Sequence, residues 1–350
     1  MKLITIQDLA KLVEKHSFDQ FMLDLMDYIK SDFGRWSDFD KSPRYCSHVP
    51  GGVQELMPTA DKQYFGYKFV NGHPGNPAFG KQTVVATGQL SEIKFGYPIL
   101  GSEMTVLTGF RTAATAALAS KYLARQNSTV LGLIGTGAQS EFQARAIRLV
   151  LPIKTIRYFD TDPAAMDKFE KNMAKYGFEL IRCTNAKEAC LGADVITVCT
   201  ACKKQVVVIE NDWIVAGQHI NGLGGDCPGK TELDKKILFR GKVVVEFTEQ
   251  SLIEGELQQL TPAEVKKVLY AELWQIFNGT KKGRQNDNEV TIYDSVGFAV
   301  EDFSALRLTY DLASKYNIGH DVDMVPPIDD PKDLISVLNT NRKRCFWRKK

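Results

Sequence analysis

The stretch Val130 to Ser140, VLGLIGTGAQS, constrains the fold of this chain more than any other. Val130 to Ile134 reads as a buried strand that stops on a glycine turn, Gly135-Thr136-Gly137. The run from Ser140 to Val150 then sets Phe142, Ala146, Leu149 and Val150 on one side at helical spacing. Strand, glycine turn and helix in that order make the phosphate-binding start of a dinucleotide fold. Gly135 permits the tight turn, and Gly137 lets backbone N–H groups approach a pyrophosphate at the helix N-terminus. The third small position is Ser140 instead of glycine, so the fingerprint is a variant. By itself such a turn also joins strands to helices without any ligand.

Two later stretches support the nucleotide reading. Thr155 to Phe159 is a second short strand that ends in Asp160, the place for an acid that bonds ribose hydroxyls. A carboxylate there repels a 2′-phosphate, which favours NAD over NADP; Lys154 and Arg157 are near but precede it in the strand. Asp194 to Thr200, DVITVCT, is another apolar run stopping at a polar residue. Further strands are expected at Glu179 to Cys183, His219 to Leu223, Val243 to Phe247 and Val290 to Tyr293. Pro163 to Tyr176 is expected as a helix, and Val206 to Trp213 as a short exposed strand and turn. This alternation, over roughly 128 to 300, suits an α/β doubly wound sheet.

The flanking segments read differently. Residues 1 to 36 carry helical patterns, and Tyr64 to Val70 and Gln82 to Leu90 read as strands around a turn-rich loop at 71 to 81. Lys68 shares a strand face with Tyr64 and Gly66. Leu107 to Ala124 is an alanine-rich helix with Thr108 as a possible cap, and Arg111 is an unusual charge among its small residues. That guanidinium either snorkels to solvent or faces a cleft and holds an anion. Phe298 to Tyr316 is a long helix with Phe303, Leu306, Tyr310 and Ala313 on one side.

With 350 residues, 44 % hydrophobic and 25 % charged, the chain has the composition of an ordinary globular protein. Its formal net charge is +2, and six basic residues fall in the last ten positions, NRKRCFWRKK. A terminal run of that kind is most simply a solvated tail, so neither nucleic acid nor membrane is expected as a partner. No signal-type apolar stretch opens the sequence and no run reaches membrane-spanning length, which makes a cytoplasmic protein the expectation. Seven cysteines then read as free thiols. Cys199 and Cys202 form a CxxC, but no second pair or histidine cluster completes a metal set, and no metal is expected.

The second anchor is Gly222 to Asp234, GLGGDCPGKTELD. It follows a buried strand and should lie at the carboxyl edge of the sheet, where ligands bind. Gly224 and Gly225 would let a nicotinamide or substrate come close to backbone. Asp226 is a candidate for proton transfer or for a cationic substrate group, or else simply a turn former. Arg44, Lys68 and Arg111 come from separate segments; if they converge they form a carboxylate site, and otherwise they are unrelated solvated charges. His219 is expected as a strand residue and not a catalyst.

GVQELMPT at 52 to 59, GTGAQ at 135 to 139, GGDCPGKTEL at 224 to 233 and YDSVGFAVEDFSALR at 293 to 307 together resemble the ornithine cyclodeaminase/μ-crystallin family, over nearly the whole chain to about residue 335. The residues after the glycines resemble its ornithine-cyclising branch. The resemblance implies a homodimer with a Rossmann NAD-binding domain (113–300) inserted in a discontinuous α+β substrate-binding and dimerisation domain (1–112 and 301–350). It implies that Arg44, Lys68 and Arg111 grip an amino-acid carboxylate, that Asp226 handles the δ-amino end, and that Val296 and Glu55 lie near the substrate. Thr83, Arg111, Ala138, Gln139, Asp160, Thr200, Lys230 and Ser295 match cofactor-contacting positions, beside Gly135, Gly137, Gly224, Gly225 and Asp226. The implied reaction turns L-ornithine into L-proline and ammonia with NAD recycled. The alternatives are a cyclic-imine reductase or amino-acid dehydrogenase, a lysine cyclodeaminase, and a crystallin-type nucleotide binder without catalysis.

Overall fold

In the computed structural model, which describes residues 1–201, 206–225 and 227–338, the strands form two sheets. The first is built mainly from the N-terminal third: β1 (Lys2–Ile4), β2 (Tyr45–Val49), β3 (Gly52–Ala60), β4 (Tyr64–Gly72), β5 (Val84–Glu92) and β6 (Pro98–Glu103). From β2 to β6 the strands run antiparallel, while β1 pairs parallel with β6. Alternation of buried and outward residues along β4 puts Gly66, Lys68 and Val70 on the inner face. Helices α1 (Ile6–His16), α2 (Phe18–Gly34) and α3 (Thr105–Leu123) accompany this sheet, and α2 packs on α3.

The second sheet holds β7 (Val130–Ile134), β8 (Thr155–Phe159), β9 (Glu179–Arg182), β10 (Val195–Val198), β11 (His219–Gly222), β12 (Gly241–Val245), β13 (Leu269–Glu272) and β14 (Val290–Asp294). All its pairs are parallel, in the order β13-β12-β14-β11-β10-β7-β8-β9. Its strands are near-continuous apolar runs because helices cover a parallel sheet on both faces. The helices between them are α4 (Ser140–Val150), α5 (Pro163–Met173), α6 (Ala186–Cys190), α7 (Thr248–Ser251), α8 (Pro262–Val268) and α9 (Leu273–Phe277). Strand order reverses direction at β7, with β8 on one side and β10 on the other, so a crevice opens at their carboxyl ends.

The chain returns through α10 (Ala299–Tyr316) to β15 (His320–Asp321), which pairs with β1. Helix α10 lies against α2, α3 and the inner face of β3 to β5. Both long helices that connect the sheets, α3 and α10, are therefore packed together. Among the described residues no helix is long and apolar enough to cross a membrane.

Three local expectations are corrected. Helix α3 starts before Thr108, whose hydroxyl donates to Met104 O (2.7 Å) inside the first turn; the Glu103 carboxylate receives Val106 N–H (2.7 Å) at the helix start instead. Val206 to Trp213 forms no strand: Ile209 makes a single bridge to Leu233, and Asn211–Trp213 is a 3-10 turn. The helix expected over 163–176 closes at Met173 and tightens into a 3-10 turn, because Gly177 takes a left-handed conformation (φ 71°) that ends it.

Candidate functional site

At the carboxyl ends of β7 and β10 a cavity of about 750 Å³ opens between the second sheet and the inner face of the first. Its nucleotide-like side is the glycine turn. Gly135 has φ 93°, a conformation glycine tolerates, and a side chain there would overlap Cys199 and Thr200 at the end of β10. Gly137 faces open space, and Ala138 and Gln139 follow it to the start of α4. Gln139 Oε1 is buried with no hydrogen-bond partner among the described residues. Asp160, at the tip of β8, accepts Thr136 N–H (2.6 Å) and Asp162 N–H (3.0 Å), which holds its carboxylate beside the turn. An open glycine turn, a helix start, an unsatisfied amide oxygen and an acid at the next strand fit a dinucleotide.

The other side of the cavity is cationic. Arg44, Lys68 and Arg111, spread over the sequence, all line it. None snorkels: Lys68 is 1 % and Arg111 6 % exposed. Lys68 Nζ pairs with Asp302 (2.9 Å), and Arg111 pairs with Glu301 (2.8 Å) and Asp302 (3.2 Å), both acids from the first turn of α10. Arg44 pairs with Glu55 (3.3 Å) on β3 and with Glu254 (3.3 Å), and its Nη2 donates to Val296 O and Gly297 O. Burial, and next the charge of Arg111, push the Lys68 ammonium down to about 8 against the pull of Asp302. Burial works against the Arg111 charge too, but Asp302 and Glu301 outweigh it and raise its pKa. Burial pushes Glu301 up against the pull of Arg111. Three buried cations held this way are preorganised for an anion such as a carboxylate.

Thr83, Gly135, Gly137, Thr200, Lys230, Ser295, Val296 and Glu55 also line this cavity. Lys230 Nζ donates to Thr200 O (3.2 Å), and Thr200 donates to Glu232. Gly224 and Gly225 stand apart from the lining. The carboxylate of Glu232 occupies the space beside Gly224, and Gly255 comes up against Gly225, so each glycine allows a close approach of protein atoms. Asp226 and Cys202 lie outside the described residues, as do residues 339–350 of the basic tail. Cys227, next to Asp226, does line the cavity. His219 is buried in β11 between Thr291 and Asn221, and burial followed by the charge of Arg284 lowers its pKa to about 3, as befits a structural strand residue.

Several site residues escaped the sequence reading. Glu301 and Asp302 stand within a stretch noted for resemblance, yet nothing local shows that they reach across to Lys68 and Arg111. Glu246 follows β12 and Glu254 follows the short α7, with no motif to mark them. Cys46, Glu55 and Glu254 have potential ligand atoms within 4.8 Å of one another, but Arg44 pairs with both carboxylates and already supplies the cation there. Burial, then Glu55 and Glu254, push the Cys46 thiol up to about 12, away from the thiolate a metal needs.

Residues 7–317 match the ornithine cyclodeaminase/mu-crystallin family. An ornithine cyclodeaminase of Agrobacterium fabrum is 46 % identical over 345 residues, covering 99 % of this chain and 96 % of its own. Among solved structures, a lysine cyclodeaminase described for recognition of L-lysine, L-ornithine and L-2,4-diaminobutyric acid superposes with a TM-score of 0.89 at 30 % identity, over 96 % of this chain and 99 % of its own. An archaeal alanine dehydrogenase dimer with bound NAD superposes with a TM-score of 0.84 at 31 % identity, over 93 % of this chain and 99 % of its own.

Proposed function

The chain belongs to the ornithine cyclodeaminase/mu-crystallin family, and we propose that it converts L-ornithine into L-proline and ammonia with NAD as a recycled cofactor. The observation that carries this reading is the meeting of Arg44, Lys68 and Arg111 on the wall of the same cavity that holds the Gly135–Gly137 turn. An amino-acid carboxylate gripped there is presented to a nucleotide lying along that turn. The likeness to the Agrobacterium enzyme over nearly the full length of both chains supports the choice of ornithine.

Gly135, Gly137, Ala138, Gln139 and Asp160 would hold the dinucleotide, with Thr83, Thr200, Lys230 and Ser295 around its remaining length. When bound, NAD⁺ supplies the two-electron oxidant for the Cα–N bond of the substrate and returns both electrons after ring closure, so no cofactor is consumed. The chain's own part is position, dryness and protons. The buried cations fix the carboxylate and so turn Cα toward the cofactor. Val296 and the apolar residues around it keep water from a reactive carbon–nitrogen double bond. Asp226, beside the cavity-lining Cys227, would take the proton from the δ-ammonium so that its lone pair can attack, and return it to the departing ammonia.

This reading also takes the nucleotide-binding domain as 113–300 within a substrate domain of 1–112 and 301–350. The strands β7 to β14 all fall in the first range and the rest of the strands outside it, while both cuts fall inside the connecting helices α3 and α10. A homodimer is part of the proposal. The outer face of β2 to β5 exposes Tyr45 (71 %), Leu56, Phe65, Phe69 (42 %) and Val85, with Tyr45 opposite Leu56 and Leu56 opposite Phe69 across the strands. An apolar sheet face of that kind calls for a partner. The cytoplasm, which holds a pool of NAD⁺, is the compartment this reading assigns to the chain.

The test is turnover of L-ornithine with NAD⁺ below the enzyme-saturating stoichiometry. Proline and ammonia in large molar excess over NAD⁺, with no lasting NADH absorbance, are expected. NADH rising one for one with ornithine would make the protein a dehydrogenase. Asp226→Asn is expected to bind NAD⁺ normally and to lose turnover; an active variant removes Asp226 from the reaction.

A further inference from the structure

Glu246 stands just past β12, fully buried behind the cavity wall (0 % exposed). Its carboxylate accepts four hydrogen bonds, one from the end of β14, the Tyr293 hydroxyl (2.7 Å), and three from the turn that follows: the Ser295 hydroxyl (2.7 Å), Val296 N–H (3.2 Å) and Gly297 N–H (3.1 Å). Three of them go to Oε1 and that of Val296 to Oε2, so both oxygens are engaged. The same turn offers its carbonyls to the substrate side: Val296 O and Gly297 O each accept from Arg44 Nη2 at 2.5 Å. Ser295 and Val296 themselves line the cavity. Peptide N–H groups therefore point back to Glu246 while the carbonyls point forward to Arg44. Burying a carboxylate is costly unless its acceptors are satisfied, and here the end of β14 and the turn after it satisfy them.

We propose that Glu246 is a positioning residue shared by both ligands. Through Ser295 it sets the wall that meets the cofactor, and through Val296 and Gly297 it aims the Arg44 guanidinium at the substrate carboxylate. The proposal rests on the reading that Arg44 binds that carboxylate. Gln250 provides the contrast, because its side chain supports Arg44, directly and through Glu254, and makes no hydrogen bond to the 295–297 turn among the described residues. Its Oε1 accepts Arg44 N–H (2.7 Å), and its Nε2 donates to Glu254 (2.8 Å), which pairs with Arg44 Nε.

The experiment compares Glu246→Gln, Gln250→Leu and Arg44→Lys for two constants, KM for L-ornithine and Kd for NAD⁺ measured by calorimetry without substrate. An amide has one acceptor end and one donor end, so in Glu246→Gln its NH₂ must face a donor of the turn whichever way it lies. Both constants are expected to rise, each by about tenfold. Gln250→Leu and Arg44→Lys are expected to raise KM and leave Kd for NAD⁺ unchanged. In the double variant Glu246→Gln/Arg44→Lys, the effects on KM should be less than multiplicative, since both act through one guanidinium. If Arg44→Lys leaves KM alone, the carboxylate reading fails, and the Arg44 half of the proposal with it. If Arg44→Lys raises KM but Glu246→Gln moves neither constant, or the two effects multiply, the positioning role is overturned while the carboxylate reading stands. Should Glu246→Gln not fold, Tyr293→Phe removes one donor only; it is expected to shift both constants in the same direction, and no shift in either overturns the proposal.

Discussion

Arg111 can lie in the site only because residue 297 has no side chain. Gly297 adopts φ 76°, and a Cβ there would overlap the Arg111 guanidinium. Gly297→Ala is thus expected to displace Arg111 as well as to strain the turn, and to raise KM for L-ornithine by about tenfold or more. Steady-state kinetics beside a thermal melt would check it; an unchanged KM removes Arg111 from substrate binding. Lys68 makes a different prediction, in pH. Its ammonium, lowered to about 8 from an ordinary 10.5, is charged in the folded protein below about 8 and neutral above. If that charge helps hold the carboxylate, KM for ornithine rises as pH passes 8, and Lys68→Met flattens that rise. Stability moves oppositely: between 8 and 10.5 the unfolded chain holds more protons than the folded one, so this group's contribution improves with pH across that window. A KM that is flat from pH 7 to 9.5 in the native protein counts against Lys68 as a binding cation.

Elements were the most legible scale. Apolar runs stopping at glycine or a polar residue marked β7, β8, β10, β11, β12 and β14, and helical spacing marked α3, α4 and α10. What local pattern did not reveal was how helices end and which of them touch. Thr108 looked like a cap, yet the carboxylate of Glu103 does that work from the preceding strand. Helix α4 of the nucleotide sheet is tied to α2 by Arg145, whose guanidinium stacks over Phe18 (3.4 Å to the ring centroid) and Tyr176 (4.3 Å) and pairs with Asp19 (2.8 Å). Arg145→Ala is expected to lower stability by about 1–2 kcal/mol through lost stacking and packing. Urea unfolding would measure it, and kcat at saturating ornithine should not change, because Arg145 is not among the residues that line the cavity.

The whole molecule turns on a sheet whose two faces do different work. The inner face of β3 and β4 carries Glu55 and Lys68 into the cavity, while the outer face carries Leu56, Phe65 and Phe69 outward, as a two-residue period requires. Under the proposed function, one set of strands would serve substrate on its inner face and the dimer on its outer face. Phe69→Asp on the outer face is expected to shift the protein toward monomer in sedimentation or light scattering, leaving NAD⁺ binding in place. A variant as dimeric as the native protein would move the interface elsewhere.

Sequence alone determined the kind of fold here and picked out the cavity's cations and its glycine turn. Glycine turns, buried strand runs and helix periods are local physics, readable within a dozen residues; they singled out Asp160, residue type singled out Arg44, Lys68 and Arg111, and the resemblance added Ser295. Only the tertiary structure decided that Arg44, Lys68 and Arg111 converge as buried charges, that Glu301 and Asp302 from α10 hold two of them, and that Glu246 stands behind the third. Glu232, filling the space beside Gly224, was likewise decided there. The reason is that an ion pair depends on distance in space, and residues 190 or 234 apart in sequence, as in Arg111–Glu301 and Lys68–Asp302, carry no local trace of the partner that makes their burial possible.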